Sequence, residues 1–453
     1  MKISMLIFSL LVGVVCLVST NLTVWETASI CFFIYFLFEF LYNLGNKIVI
    51  MDLAIIMALL SCLIMPVIFY HEYGRENHLA RLWVKYMPIP SDEYFSFALP
   101  ATLMMIVGLR VPLGKFRINK NPRVYLDNVK NYLARNPRLG LILIGVGVTS
   151  GLLDFLSPQN LRQVFYFMDH LTYVGVFYVL YSPNKHKRII VPSVIALMVG
   201  QTIITGMFGE FVFMLACTLV LILLGRKISF QKKLLYAVAG IFVILVFQSI
   251  KVDYRKRNWL EGEGADPLYF AELISDRVSN PGTLVEGDRV FFTLVRMNQG
   301  WLIAVTMKKV PEKYPFAYGE TIWQSVAASI VPRFLWPNKP EVGGKYNLKR
   351  FWGFDIHGYS MNIGPLGEAY GNFGVFGGII YMFFYGLIFN LILSWILKIA
   401  ERRPTIILWL PFLFFYSISI ETDMLSTLGF LIKAGFFTWI VFRFFHIAYR
   451  IEL

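Results

Sequence analysis

Three residues in the second half of the chain could take a proton from an attacking hydroxyl group. Glu320 and His357 lie in a long polar stretch, and Glu368 lies four residues before Asn372 at the start of an apolar segment. A carboxylate or a neutral imidazole can act as a general base. A carboxylate at the edge of hydrocarbon is costly unless it is paired or functional, and a single loop histidine is more often just a polar residue. The sequence does not rank the three.

Arginines in the same stretch could bind a phosphate or pyrophosphate group. Arg255 follows an apolar segment closely, and Arg289 and Arg296 are seven residues apart, which places them on one helical face. A planar guanidinium can bind two phosphate oxygens at once. Two interpretations therefore remain open for these arginines, namely binding of ordinary lipid headgroups and formation of a pyrophosphate pocket.

A further arginine lies in a stiff segment. Arg333 and Lys339 belong to the stretch 332–340, which contains three prolines and therefore cannot form a helix. A guanidinium held on such a path is suited to a fixed phosphate contact. The alternative is that Arg333 pairs with Glu320 and stabilises the loop, and the sequence favours neither.

Five glycines follow at intervals of three and four residues, Gly364, Gly367, Gly371, Gly374 and Gly378. On a continuous helix this spacing predicts one small-residue face, which allows another backbone to approach closely. A packing role is the stronger interpretation of this face.

The composition requires that these residues be positioned by membrane helices. Of the 453 residues, 57% are hydrophobic and 15% are charged, whereas soluble proteins carry about a quarter charged residues. The apolar segments are continuous and long enough to span a bilayer as helices. They lie at about 3–20, 22–44, 51–70, 94–112, 139–157, 163–182, 189–206, 208–225, 234–250, 373–397, 405–421 and 425–446. We therefore predict an all-α polytopic integral membrane protein with about 12 transmembrane helices.

The distribution of charge predicts the orientation of these helices. The basic loops fall on one side if twelve spans alternate, and that side is the cytoplasm by the positive-inside rule. Both termini are then cytoplasmic. Residues 1–250 form helices 1–9, residues 251–362 form one large extracytoplasmic loop, and residues 363–453 form helices 10–12. The net charge of +14 is attributed to the cytoplasmic loops, and nucleic acid is not expected as a partner.

Two apolar stretches of the large loop are interpreted as amphipathic helices on the membrane surface. The stretch 290–307 carries Arg296, Asn298 and Gln299 at its centre, each costly in hydrocarbon, and 321–334 has apolar residues at helical spacing.

Isolated charges lie inside the predicted spans, at Glu39, Asp154, Asp169, Glu210 and Lys433. Such residues are functional or pair with one another inside the bundle, and pairing is favoured for Lys433.

Motifs of common membrane enzymes are absent from the sequence. There is no HExxH, no Walker lysine loop and no GxSxG, which disfavours zinc proteolysis, ATP-driven transport and serine hydrolysis. No set of metal ligands is recognisable either, so no metal or other cofactor is expected.

The segments GETIWQS, IVPRFLWPNKP and MNIGPLGEAYGNFGVFGG resemble the Wzy-type oligosaccharide repeat unit (O-antigen or exopolysaccharide) polymerases of bacteria. The resemblance implies a GT-C-like, metal-independent glycosyltransferase. Such an enzyme transfers a growing glycan from undecaprenyl pyrophosphate to a sugar hydroxyl of a second lipid-linked repeat unit. The residues to which this role carries over are Glu320, Arg333, Lys339, Glu368, Tyr370 and Asn372.

The resemblance also implies a location and partners. The protein is expected in the bacterial inner membrane, with its active site on the periplasmic face, and a chain-length regulator and a flippase are candidate partners. The alternatives are an O-antigen ligase, which passes the same donor to another acceptor, and a polysaccharide or lipid transporter. Transporters often show broken helices or two related halves, and neither is evident in the sequence.

Overall fold

The computed structural model describes residues 2–113, 122–153, 157–158, 161–206, 208–262, 264–285, 287–333 and 335–450. Within these ranges the regular structure is entirely helical. The first half of the chain contains the α-helices α1 Lys2–Ser19, α2 Val24–Asn43, α3 Ile50–Leu59, α4 Met65–Glu72, α5 His78–Leu82, α6 Ser91–Arg110, α7 Pro122–Arg135, α8 Leu139–Leu153, α9 Arg162–Asp169, α10 Leu171–Tyr181, α11 Lys187–Thr205 and α12 Phe208–Leu223.

The second half contains helices of very different length. These are α13 Phe230–Arg255, α14 Pro267–Ser279, α15 Gly287–Met297, α16 Gln299–Lys309, α17 Glu320–Ile330, α18 Lys345–Trp352, α19 Gly364–Ile399, α20 Leu410–Leu413, α21 Phe415–Ser419 and α22 Met424–Tyr449. Short π-helical turns at Leu60–Ile64 and Lys256–Leu260 continue α3 and α13, and 3-10 turns lie at Pro281–Val285 and Pro404–Trp409.

Several helices have the length and composition of membrane spans. In the described ranges seven qualify, Val24–Asn43, Ile50–Glu72, Arg162–Tyr181, Lys187–Thr205, Phe230–Asn258, Gly364–Ile399 and Met424–Ala448. Two bent pairs, α7 with α8 and α15 with α16, raise the number to nine if each pair is one span. This supports the prediction of an all-α membrane protein, while the number of twelve spans stays a prediction.

The centre of the bundle is the contact between α6 and α19. A Cβ atom on Gly108 would lie 2.1 Å from the carbonyl oxygen of Phe383, and one on Gly386 would lie 2.1 Å from that of Met105. The two glycines therefore allow the backbones to touch, as is typical of helix packing in lipid. The Asn390 amide strengthens the contact by donating to the carbonyl oxygens of Gly108 and Val111.

The charges predicted inside the spans find polar partners. Glu39 pairs with Arg110 at 2.6 Å, and Glu210 accepts a hydrogen bond from the Tyr166 hydroxyl at 3.0 Å. Lys433 donates to the Gln163 side-chain oxygen at 3.0 Å and to no carboxylate in the described ranges, so the predicted pairing of Lys433 with another charge of the spans is wrong. Asp154 lies outside the described residues.

Three stretches differ from the expected continuous helices. The stretch 290–307 is two helices that meet at 65°, and the second of them, α16, is largely buried inside the bundle rather than lying on a surface. The predicted span 405–421 is a 3-10 turn followed by the short helices α20 and α21, and these elements are mostly buried. The glycine series does not form one helical face, because α19 is broken at Gly374.

Candidate functional site

The break in α19 creates a half-helix, residues 364–373, that carries the site. Gly374 has φ 66° and ψ −157°, a backbone conformation that is essentially restricted to glycine. The carbonyl oxygens that the half-helix leaves unpaired at Gly371 and Asn372 accept hydrogen bonds from the backbone N–H groups of Ala317 and Tyr318, at 3.0 and 2.9 Å. The stretch before α17 therefore closes the end of the half-helix and fixes its position.

Glu368 lies in the middle of the half-helix and is completely buried. The Thr321 hydroxyl of α17 donates to its Oε1 at 3.1 Å, and the backbone N–H of Met424 at the start of α22 donates to its Oε2 at 2.7 Å. One carboxylate thereby joins three helices. Because both oxygens already accept hydrogen bonds, Glu368 is suited to holding the site together.

Asn372 supports the same arrangement. Its amide nitrogen donates to the Thr321 hydroxyl at 2.7 Å and to the carbonyl oxygen of Glu368 at 2.8 Å, and its amide oxygen accepts from the N–H of Gly319 at 3.0 Å. Asn372, which was predicted to contact substrate, therefore uses both its amide nitrogen and its amide oxygen in hydrogen bonds within the protein.

A second buried carboxylate, Asp423, lies beside this group and was missed in the sequence analysis. Its Oδ1 accepts from the N–H of Ser426 and caps α22, and its Oδ2 accepts from the Asn347 amide at 3.3 Å. Burial raises the pKa of the Asp423 carboxyl above its ordinary value. The signal that could have found it is the pattern Asp-x-x-Ser directly before an apolar segment, which is typical of a helix N-cap.

The two buried acids interact without a salt bridge. Glu368 and Asp423 are close enough to repel each other, and no lysine or arginine lies within 4 Å of either carboxylate in the described ranges. The oxygen of the Asn347 amide is buried, and it has no hydrogen-bond partner among the described residues. We call Glu368, Asp423, Asn347, Thr321 and Asn372 the carboxylate junction.

A group of cations lies next to the carboxylate junction. Arg296 of α15 pairs with Glu421 at 3.2 Å, and Arg255 at the end of α13 donates to the carbonyl oxygen of Gly206 at 2.8 Å. The positive charges of Lys251, Arg255 and Arg296 are close enough to repel one another, and Glu421 is the acid that interacts with them. We call these three residues the first cationic group. Lys251 was not singled out, because the sequence placed it at the start of the large loop, whereas it lies in α13.

Five residues connect the two groups. In the loop 420–424, Glu421 contacts the first cationic group. Asp423 belongs to the carboxylate junction, and the N–H of Met424 donates to Glu368 of that junction. The loop thus links the three cations, through Glu421, to the two carboxylates of the junction, Asp423 and Glu368.

Glu320 is the more accessible of the predicted acids. Its side chain is 46% exposed, and it accepts hydrogen bonds from Arg350 and from the Tyr346 hydroxyl, each at 3.2 Å. The alternative that Glu320 pairs with Arg333 is therefore wrong. His357 is exposed in the loop before α19.

Two further predicted residues, Arg289 and Tyr370, have partners outside the junction. Arg289 and the buried Arg277 share Asp253, at 3.6 and 2.9 Å. The Tyr370 ring is buried and packs edge-to-face against Phe97.

Arg333 and Lys339 belong to a different group with Lys433 of α22, which we call the second cationic group. Lys339 donates to the carbonyl oxygens of Ala328 and Val331 at the end of α17, at 2.8 and 3.0 Å. Burial, together with the nearby charge of Arg333, lowers the pKa of Lys339.

The comparisons with known proteins identify a family without a described activity. Residues 124–402 match a family described as a domain of unknown function (DUF8712). No curated protein and no solved structure matches the chain. In the part of the chain that the structure describes, no group of three or more His, Cys, Asp or Glu side chains could hold a metal ion.

Proposed function

The chain belongs to the DUF8712 family, and we propose that it polymerises oligosaccharide repeat units carried on a lipid pyrophosphate. The observation that carries this proposal is the loop 420–424, which joins the first cationic group to the carboxylate junction. Transfer of a glycan from a pyrophosphate needs positive charge at the leaving group and a base at the acceptor. The chemistry therefore calls for cations and carboxylates at one place.

The first cationic group would stabilise the leaving group. In the reaction the bond between the anomeric carbon and the pyrophosphate oxygen breaks, and a bond to the acceptor hydroxyl oxygen forms. Both electrons of the broken bond stay with the pyrophosphate, whose developing charge Arg255, Arg296 and Lys251 would neutralise. Fixed cations can perform this role without a divalent metal.

The acceptor proton would pass to Glu320. Both carboxylates accept hydrogen bonds at both oxygens, but Glu320 is about half exposed and could meet an acceptor, whereas Glu368 is fully buried. Glu320 directly precedes Thr321 of the carboxylate junction. Tyr346 and Arg350 hold Glu320 in place as hydrogen-bond donors. We assign Glu368, Asp423 and Asn372 to positioning, and the exposed His357 remains the alternative base.

We further propose that the enzyme lies in the bacterial inner membrane and has its active site on the periplasmic face. Its lipid carrier would be undecaprenyl pyrophosphate. A chain-length regulator and a flippase are its proposed partners, and a ligase would use the same donor with another acceptor.

A transporter of the same lipid-linked glycan is the second candidate, favoured by the broken helices. The α19 helix is interrupted at Gly374, and α15 meets α16 at 65°. Discontinuous helices that carry charged groups are typical of substrate sites in transporters.

A reconstituted assay separates these candidates. The purified protein is mixed with lipid-linked repeat units with and without EDTA, and the glycans are resolved on a gel. We expect a ladder of long chains that survives EDTA, its loss in Glu320→Gln, and its retention in Glu312→Gln, which changes an exposed acid of the same stretch. A folded protein that binds the substrate but makes no ladder would reject the polymerase. Movement of the intact substrate across the vesicle membrane would then indicate the transporter. Transfer of the glycan to an added acceptor would indicate the ligase.

A further inference from the structure

The second cationic group concentrates like charges at a half-buried position. Lys433 lies nine residues after Met424, roughly 13 Å along α22 from the carboxylate junction. Arg333 and Lys339 approach it from the stretch that follows α17, and all three charges interact repulsively. In the described ranges no carboxylate lies within 4 Å of any of the three, and Glu341, which interacts with Arg333 from further away, is itself paired with Lys345 at 2.7 Å. Such an arrangement is unfavourable unless an anion occupies it.

The protein leaves hydrogen-bond donors of these cations unused. Among the described residues, Lys433 has one hydrogen-bond partner, the Gln163 oxygen, and Arg333 has one, the carbonyl oxygen of Pro337 at 3.5 Å. Lys339 uses two of its three donors to cap α17. Several N–H groups on two segments of the chain are therefore available to the oxygens of one phosphate.

The surroundings of the cations indicate a ligand that also has an apolar part. Ile330 and Leu335, on either side of Arg333, are 64% and 68% exposed. On α22, Ile432 precedes Lys433, and Phe436 follows it by three residues and is 60% exposed. Exposed apolar side chains beside unpaired cations suit a headgroup with its attached chain.

We propose that the second cationic group binds the phosphate of an anionic membrane lipid, with its acyl or prenyl chain lying along Ile330, Leu335 and Phe436. The site is separate from the carboxylate junction and does not depend on the proposed polymerase activity. Free inorganic phosphate shares the headgroup chemistry but lacks the chain, and it is the alternative that the test must exclude.

Retention of lipid on the full-length protein tests this site. The detergent-purified protein is titrated with phosphatidylglycerol, phosphatidylcholine or inorganic phosphate, and bound lipid is counted by native mass spectrometry. Wild type should retain phosphatidylglycerol in preference to phosphatidylcholine, and Lys433→Gln should weaken this binding about tenfold, as expected for loss of a charged hydrogen bond. Arg443→Gln, which removes an exposed cation from the same helix, should bind as wild type does.

Several results would overturn the proposal. Equal retention of phosphatidylglycerol by Lys433→Gln and wild type would exclude the site, and competition by inorganic phosphate at the lipid concentration would exclude a lipid ligand. If Lys433→Gln does not fold, Arg333→Gln replaces it, because Arg333 is exposed and should tolerate the change. Unchanged lipid binding in that variant would likewise reject the site. Lipid counting needs no turnover, so this test is independent of the polymerase assay.

Discussion

Replacement of Glu368 should separate a structural role from a chemical one. Glu368→Ala removes the acceptor of the Thr321 hydroxyl and of the Met424 N–H, both of which are buried. Each hydrogen bond to a charged group contributes about 1.5–3 kcal/mol, so the folded state should lose about 3–6 kcal/mol. Glu368→Gln keeps the size and one acceptor oxygen, and it removes the repulsion with Asp423. Its loss should stay below about 2 kcal/mol.

Thermal unfolding in detergent, followed by tryptophan fluorescence, measures this order. The matched control is Asp355→Ala, which removes an exposed carboxylate from the loop between α18 and α19 and should change stability by less than about 0.5 kcal/mol. Wild-type stability in Glu368→Ala would refute the role of Glu368 in joining α17, α19 and α22. If Glu368→Gln folded normally but made no polymer, its charge would take part in the reaction and the assignment of the base to Glu320 would be wrong.

Three further predictions concern the charges and the helix break. Arg296→Gln should slow polymerisation by about tenfold or more, because Arg296 would stabilise the leaving group. Its melting temperature should not change, because Arg296 is exposed. Equal slowing in Arg402→Gln, which also replaces an exposed arginine, would argue against a specific role. Gly374→Ala should lower stability by about 1–3 kcal/mol, because φ is 66° and the new methyl group would lie 3.2 Å from Phe316. Gly435→Ala on α22, with free space around it, should be neutral or stabilising in the same unfolding assay. Burial raises the pKa of Asp423 above its ordinary value of 3.8. Between these two pKa values the folded state binds a proton that the unfolded state has released, so the free energy of unfolding should fall as pH rises through this range. Asp423→Asn should flatten this dependence in melting curves recorded from pH 4 to 8, and an unchanged slope would contradict it.

Much of the candidate site could be named from the sequence, but its grouping could not. Glu368, Arg255 and Arg296 stood out because charge is costly near apolar segments. Arg333 stood out because prolines stiffen its segment, and Glu320 because its carboxylate could act as a base. Which of them come together depends on how the helices pack, and the partners are distant in sequence, as with Arg296 and Glu421. Asp423 was not predicted because it lies in a short turn, and Lys251 was not predicted because it was taken as the first residue of the large loop.

The helix breaks could not be predicted from the sequence either. The glycine spacing of three and four residues predicted one continuous helical face. In the structure Gly374 adopts a non-helical backbone conformation that this spacing does not predict. The half-helix ends there because Ala317 and Tyr318 supply donors to its last carbonyl oxygens. A local pattern carries no information about such donors.

The sequence by itself determined that this chain is all-helical and suited to lipid, because long apolar segments satisfy their backbone hydrogen bonds only as helices. It also determined which charged residues would be costly and therefore worth examining. The tertiary structure alone decided that Glu368 joins three helices, that Glu320 pairs with Arg350, and that the cations fall into two groups. The physical reason is that secondary structure follows from local apolar content, whereas the pairing of buried charges depends on which helices meet.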